Sequence, residues 1–168
     1  ENRFALEPTI SEIQPGMVFE DDVVRVSAAR VEHIPREITD CFALRLEAER
    51  RTIVFSGDTA PCDAVVELAA GADLLLHECT FPEQVLKFRK TTGVGIEAHT
   101  SPVELGKIAA KASVKRLVAT HFAAWNSTHP VVLRHLTKQM PMELAGPHMT
   151  EQVVDDIRQN YQGELRIA

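Results

Sequence analysis

Nowhere in this 168-residue chain does an apolar stretch approach the roughly 20 residues that a bilayer-spanning helix needs, so no membrane span is expected. Cysteine is scarce. Cys41, Cys62 and Cys79 are odd in number, widely spaced and form no C-x-x-C pair, which excludes a disulfide framework and a thiolate zinc site. Each is expected as a small buried or half-buried residue. The start, Glu1-Asn2-Arg3-Phe4, lacks the apolar run of a secretory signal, so a cytoplasmic protein is expected. It also lacks an initiator methionine, which suggests a chain beginning partway through a longer protein. Internal repeats and low-complexity segments are absent. An excess of positive charge is absent too: the net charge of -6 gives no long-range attraction to a phosphate backbone. Lys87, Arg89 and Lys90 form the only compact basic cluster, expected as a solvated helix face.

What is present suits one soluble domain over residues 1–168, with 45% hydrophobic residues for a core and 25% charged residues. Val23 to Ala29, continued toward His33, reads as a strand. Phe42-Ala43-Leu44-Arg45-Leu46-Glu47 alternates apolar and polar, the signature of a half-buried strand. Glu49-Arg50-Arg51 then turns a hairpin into Ile53–Phe55, so the sheet is expected to be mixed. Pro61 to Ala70 reads as a helix stopped by Gly71. A strand to Leu76, a short helix or lid from Phe81 to Phe88, and a loop from Thr91 to Glu97 follow. Pro102 to Ala112 is a helix with Ser101 as its cap, and Leu117–Thr120 closes a β-α-β alternation. Residues 130–139 and 150–161 are expected helices, and Glu164–Ile167 is a last strand.

Three of these strands stop at residues that metals or proton chemistry can use. Thr52–Phe55 leads into Ser56-Gly57-Asp58-Thr59, Asp73–Leu76 into His77-Glu78, and Arg116–Thr120 into His121-Phe122. Carboxyl ends of neighbouring strands lie along one edge of an α/β sheet, where ligands collect. Asp58 offers a metal-binding oxygen or a helix cap. His121 offers a zinc ligand or a hydrogen-bonded structural imidazole. His77 and Glu78, adjacent on a strand, face opposite ways, so one can face a site while the other supports it; the other reading is a turn-stabilising pair. His99 precedes the capping pair Thr100-Ser101, which would hold its imidazole in place to donate a proton, or it is an exposed loop histidine.

Taken in order, Asp58-Thr59, His77-Glu78-Cys79-Thr80-Phe81, His99-Thr100-Ser101 and Thr120-His121-Phe122 resemble the C-terminal half of the metallo-β-lactamase fold, in the branch of tRNase Z and arylsulfatase-like hydrolases. The likeness covers about residues 15–125 and again 157–168. It implies an α/β fold, the C-terminal half of an αββα sandwich with a mixed sheet. It also implies two divalent metal ions, zinc by expectation, which activate a water. Asp58 would bridge the metals and His121 would ligate one of them. His99, Glu78 and His77 would be the catalytic group, with His99 protonating the leaving group and Glu78 orienting it. Val31-Glu32-His33 resembles the histidine-bearing strand of the family, and a reach from His33 to substrate stays open.

Two departures shape the expected function. The His-x-His-x-Asp-His loop is absent, and no further ligand histidine is read upstream of Asp58. The chain is therefore expected to lack the N-terminal half, to bind metal weakly and to be inactive alone. Its expected partners are that missing half and a second copy in a homodimer. The segment Phe122-Ala123-Ala124-Trp125-Asn126 replaces the Ser-x-Arg-Tyr usual in tRNase Z, so a phosphate, sulfate or related small ester is expected over tRNA. The alternatives are a tRNase Z-type 3′-processing nuclease and a metal-free binding or scaffold member of the fold. Trp125, His129, His135 and His148 are expected outside the site, Trp125 as packing and the histidines as solvated, although His129 could touch a substrate pocket.

Overall fold

Strand direction decides where the polar strand ends gather. In a computed structural model that describes residues 10–92, 98–138 and 140–168, seven strands form one sheet in the order of the sequence. β1 (Gly16–Glu20), β2 (Val24–Val31), β3 (Cys41–Ala48) and β4 (Arg51–Phe55) run antiparallel to one another. β5 (Leu74–Glu78), β6 (Arg116–Thr120) and β7 (Glu164–Ile167) continue from β4 in parallel. The mixed α/β sheet expected from the sequence is present. The hairpin at Glu49-Arg50 is a tight turn in which both residues take left-handed φ, 46° and 65°, matching the right-handed twist of the strands.

The parallel crossovers carry α1 (Asp63–Leu68), α3 (Pro102–Lys111) and α5 (His148–Arg158). Each crossover steps one strand in the same direction, and right-handed connections then place their helices on the same face. α1 accordingly packs on β2, β3 and α3, and α3 packs on α5. Gly106 makes the α3–α5 approach possible, because a Cβ there would collide with the Ile157 carbonyl oxygen. Register assigns the faces. The row Arg45–Val54–Leu75–Leu117–Leu165 lies under the helices, with Val54, Leu75 and Leu117 fully buried. The neighbouring row Ala28–Leu44–Phe55–Leu76–Val118 and the row Val26–Leu46–Ile53–Leu74 face the other way. Most of that second face is half-buried, and Phe55 is 41% exposed. The described residues thus make one sheet layer covered by helices on one side.

Some boundaries differ from expectation. β1 was not read from the sequence, because its register shifts between Met17 and Phe19 and an exposed edge strand needs no alternation. α1 starts at Asp63 rather than Pro61, α5 starts at His148, and α4 (Pro130–Leu136) is shorter than residues 130–139. α2 (Glu83–Thr92) keeps Thr91 and Thr92, which were read as loop. The rest of that expected loop, residues 93–97, the chain start at residues 1–9, and Gln139 lie outside the described residues. Among the described residues no helix is long and apolar enough to cross a membrane.

Candidate metal and proton-transfer site

Four strands, not three, deliver side chains to one edge. β4, β5 and β6 are parallel, so their carboxyl ends coincide. Two antiparallel steps, β2 to β3 and β3 to β4, return β2 to the direction of β4, and its end adds Glu32-His33 to the same edge. β4 turns off through Gly57, whose φ is 61°; a Cβ at that position would sit 2.8 Å from the Phe42 carbonyl oxygen.

Glu78 sits at the centre. Its carboxylate is 2% exposed and accepts five hydrogen bonds. Oε1 takes the backbone N–H of Thr100 at 3.0 Å, that of Thr59 at 3.3 Å, and His99 Nδ1 at 3.0 Å. Oε2 takes the Thr80 N–H at 3.1 Å and its hydroxyl at 2.9 Å. A carboxylate only accepts, so His99 carries its proton on Nδ1 and turns Nε2 outward. The Thr80 hydroxyl has given its proton to Glu78, so Oγ1 accepts from His121 Nδ1–H at 2.8 Å, and it also lies 3.2 Å from His99 Nδ1. One buried carboxylate thereby sets the tautomers of two imidazoles.

Asp58 lies between two bare imidazole nitrogens. His121 Nε2 is 3.6 Å from Asp58 Oδ2, and His33 Nε2 is 3.9 Å from the same atom. His33 donates Nδ1–H to the Ala98 carbonyl at 2.9 Å, so its Nε2 also presents a lone pair. Each of these nitrogens forms with Asp58 Oδ2 a pair of lone-pair donors that could flank a cation, and both imidazoles have the second-side hydrogen bond that metal-binding histidines show. His121 is held at φ 61°, a strained backbone for a non-glycine residue, at the point where its ring must reach the edge. Glu78, His99 and His121 also bring three potential ligand atoms within 4.8 Å of one another. The oxygens of Glu78 are, however, already filled by five donors, which leaves the pairs of Asp58 with His33 and of Asp58 with His121 as the open donors at the edge. The rings pack as well: His99 stacks on His121 with centroids 5.9 Å apart and meets His33 edge-on at 5.0 Å.

The structure therefore brings Asp58, Glu78, His99 and His121 together and leaves His77 out. His77, expected in the catalytic group, shares the strand face of Leu75 and lies fully buried under the helices. Its Nδ1 donates to the Glu78 carbonyl at 2.7 Å, and its Nε2 has no hydrogen-bond partner among the described residues. Asp58 is not the cap of α1, which begins at Cys62 with no side-chain cap bond. Ser101 does cap α3, accepting from Glu104 N–H at 3.2 Å. His33, whose reach the sequence leaves open, stands beside Asp58. Its signal was in the sequence, a fourth strand ending at an imidazole. Trp125 is 1% exposed and donates Nε1–H to the Thr80 carbonyl at 2.9 Å, so it packs and also braces the threonine beneath both histidines. His129, His135 and His148 are exposed, and His129 caps α4. Cys79 is buried, and Cys41 and Cys62 are half-buried.

Burial makes His77 a pH-dependent element of stability. Desolvation holds its imidazole below the ordinary 6.5, with the Glu78 hydrogen bond and charge opposing weakly. The unfolded chain binds a proton near pH 6.5 that the folded chain resists. Stability is therefore fully present above that pH and falls as the pH drops below it. A single such group changes the slope by at most about 1.4 kcal/mol per pH unit. Urea midpoints at about pH 7.5 and about pH 5.5 should fall further apart in the wild type than in His77→Leu. Equal spacing in both proteins would show that the histidine is not carrying the effect.

Comparison with known proteins gives the family and the fold. A family described as "Beta-lactamase superfamily domain" matches residues 2–122. A protein of Ignicoccus hospitalis named ribonuclease Z is 36% identical over 108 residues, 64% of this chain and 34% of the relative. The crystal structure of human tRNase Z, short form, superposes with a TM-score of 0.51 at 30% identity, over 63% of this chain and 38% of that one. A metallo-beta-lactamase fold protein of Bacillus subtilis reaches a TM-score of 0.65 over 93% of this chain and 51% of that one; at 20% identity it shows the fold alone. The matched part of this chain spans about a third to a half of such curated relatives.

Proposed function

This chain belongs to the β-lactamase superfamily, and from that premise we propose that it supplies one half of the active site of a metal-dependent phosphodiester hydrolase of the ribonuclease Z type. The observation that carries the metal part is Asp58 Oδ2 flanked by the bare Nε2 atoms of His33 and His121. Those three residues would hold two divalent ions, zinc by preference, with Asp58 between them. Ions bound there supply a water of lowered pKa and neutralise charge that builds on the scissile group. Three protein ligands do not complete a two-metal site, so the remaining ligands come from a further segment that covers the open face of the sheet.

The residues of this chain do the rest. His99 turns Nε2 toward the edge, and in its doubly protonated form the ring delivers the Nε2 proton to the leaving oxygen and keeps the Nδ1 proton hydrogen-bonded to Glu78. Glu78 keeps Nδ1–H in place, so the imidazole neither flips nor changes tautomer. Thr80 couples the orientation of His99 to that of His121, and Trp125 holds Thr80 by its carbonyl.

The names of the relatives favour an RNA substrate over the small ester expected from composition. The small-ester reading keeps one support, the net charge of -6 together with Phe122-Ala123-Ala124-Trp125-Asn126 beside the second histidine. The deciding experiment offers the metal-loaded full-length protein a 3′-extended tRNA precursor, bis(p-nitrophenyl) phosphate and a p-nitrophenyl sulfate ester. Trailer removal that chelator stops is expected. Turnover of the esters with an intact precursor would move the function to small substrates. No turnover and no bound metal would make the protein a binding member of the fold.

A further inference from the structure

The only compact basic cluster of the sequence lies on a helix face where Lys87 and Lys90 are exposed, as expected, and that face borders His99. Lys87 and Lys90, on α2, line a groove of about 350 Å³ that the start of α3 and His99 also line. That volume is at the lower end of small-molecule sites and suits one nucleotide unit. Arg89, the third member, stacks its guanidinium 4.3 Å from the Phe81 ring centroid, and Phe81 meets His99 edge-on at 6.1 Å. Arg89 is thus linked to the proton donor through the Phe81 ring.

The two lysines are uncommitted. Lys107, Lys111 and Lys115 all make ion pairs of 2.6 to 2.7 Å, whereas among the described residues Lys87 and Lys90 make none. Acidic groups are also near. Glu104 lines the groove but is paired with Lys107, Glu83 lines it with its Oε2 unpartnered, and the buried Asp156 feels the charge of Lys87. Two ammonium groups against one unpaired carboxylate on the wall leave the groove positive in a chain that is acidic overall. Its floor is apolar, with Leu86, Val103 and Pro61.

We infer that this groove binds the leaving-group side of the substrate, taking a nucleotide whose phosphate is held by Lys87 and Lys90. The inference rests on the phosphodiesterase reading for its chemistry. His99 must stand next to the leaving oxygen to protonate it, so whatever that oxygen carries extends into the space on the far side of His99, and that space is the groove. The sugar and base meet Leu86, Val103 and Pro61, and the ammonium groups meet the next phosphate along. The subsite makes these lysines specificity-determining residues, since a leaving group without a phosphate forgoes the charge contacts.

Two measurements on the full-length protein test it. Titration of adenosine 5′-monophosphate into the metal-free protein reads the groove without catalysis. Lys87→Gln combined with Lys90→Gln should weaken that binding about tenfold, and Lys138→Gln, on a distant exposed lysine, should not. With metal added, kcat/KM for adenylyl-adenosine bearing a 5′-phosphate should exceed that for the unphosphorylated dinucleotide about tenfold or more, and the double variant should bring the ratio near one. Lysine-dependent nucleotide binding with neither dinucleotide cleaved would sink the hydrolase reading and leave the groove standing. Cleavage of both at one rate, with nucleotide binding indifferent to the lysines, would sink the groove and leave the hydrolase.

Discussion

Replacing Asp58 by alanine in the full-length protein is expected to remove bound metal and hydrolysis together. Among the described residues Asp58 Oδ2 is the carboxylate oxygen within 4 Å of both His33 Nε2 and His121 Nε2, so its loss severs the two positions from each other at once. No other described carboxylate is free to take its place, because both oxygens of Glu78 are committed to five donors. Without the cations an attacking water returns to its bulk acidity, and kcat/KM should fall about a thousandfold or more. Elemental analysis and a phosphodiester assay on the same preparation check this. Asp58 is half-exposed, so folding should survive the change, and an unaltered urea midpoint would show that the loss is local. A variant that keeps both metal and turnover would remove Asp58 from the bridging role.

The second large effect is expected at His99. His99→Ala should keep its metal and lose turnover in a manner that depends on the leaving group. A diester with an alkoxide leaving group needs a proton at the departing oxygen, and its kcat should fall about 10²- to 10⁴-fold. Bis(p-nitrophenyl) phosphate, whose phenolate departs unaided, should lose far less. Equal losses on both substrates would show that His99 positions the substrate or a cation and does not protonate. Glu78→Gln tests the orienting role. Its amide would set an N–H against donors that now converge on a carboxylate, leaving a buried donor unpaired at a cost of about 1–3 kcal/mol. Activity should drop about 10- to 100-fold, the range typical when the partner of an active histidine is removed. Because Glu78 also reaches His121 through Thr80, this variant, unlike His99→Ala, should weaken metal binding as well.

These two variants separate what the edge does with cations from what it does with protons. Asp58, His33 and His121 present lone pairs outward, and His99 presents one nitrogen beside them. Glu78, Thr80 and Trp125 lie beneath and touch no substrate. The buried layer explains why the chemistry needs so long a motif: Thr59, Thr80 and Thr100 give their backbone N–H groups, and Thr80 also its hydroxyl, to the carboxylate of a residue 2% exposed. A charge buried that deeply is tolerated only when its oxygens are filled.

Much of this was legible in the residues. The alternation in Phe42–Glu47, the Ser101 cap and the stop at Gly71 specify local structure through short-range sterics and hydrogen bonds. Strands ending at Asp58, His77-Glu78 and His121 announced a polar edge, because parallel strands share the direction in which they end. The identity of the family followed from the order of those motifs. Strand parity even divided His77 from Glu78, although which of them faced the site did not follow, since alternation fixes opposite faces without saying where the helices pack. That choice came from the crossovers, which cover the face of Leu75 and His77 and leave that of Glu78 to the edge.

His33 marks the limit most clearly. Twenty-five positions before Asp58, on a strand two hairpins away, it carries no local sign of its partner, and only the reversal of direction at β3 and again at β4 returns it to the same rim. The same holds for Lys87 and Lys90, which look like any solvated helix face until the fold sets α2 against α3 beside His99. Sequence alone determined the elements, their caps and the family, because those depend on neighbours along the chain. Which imidazoles share a carboxylate, and which basic residues look into the site, depends on long-range register and packing, and only the tertiary structure decided them.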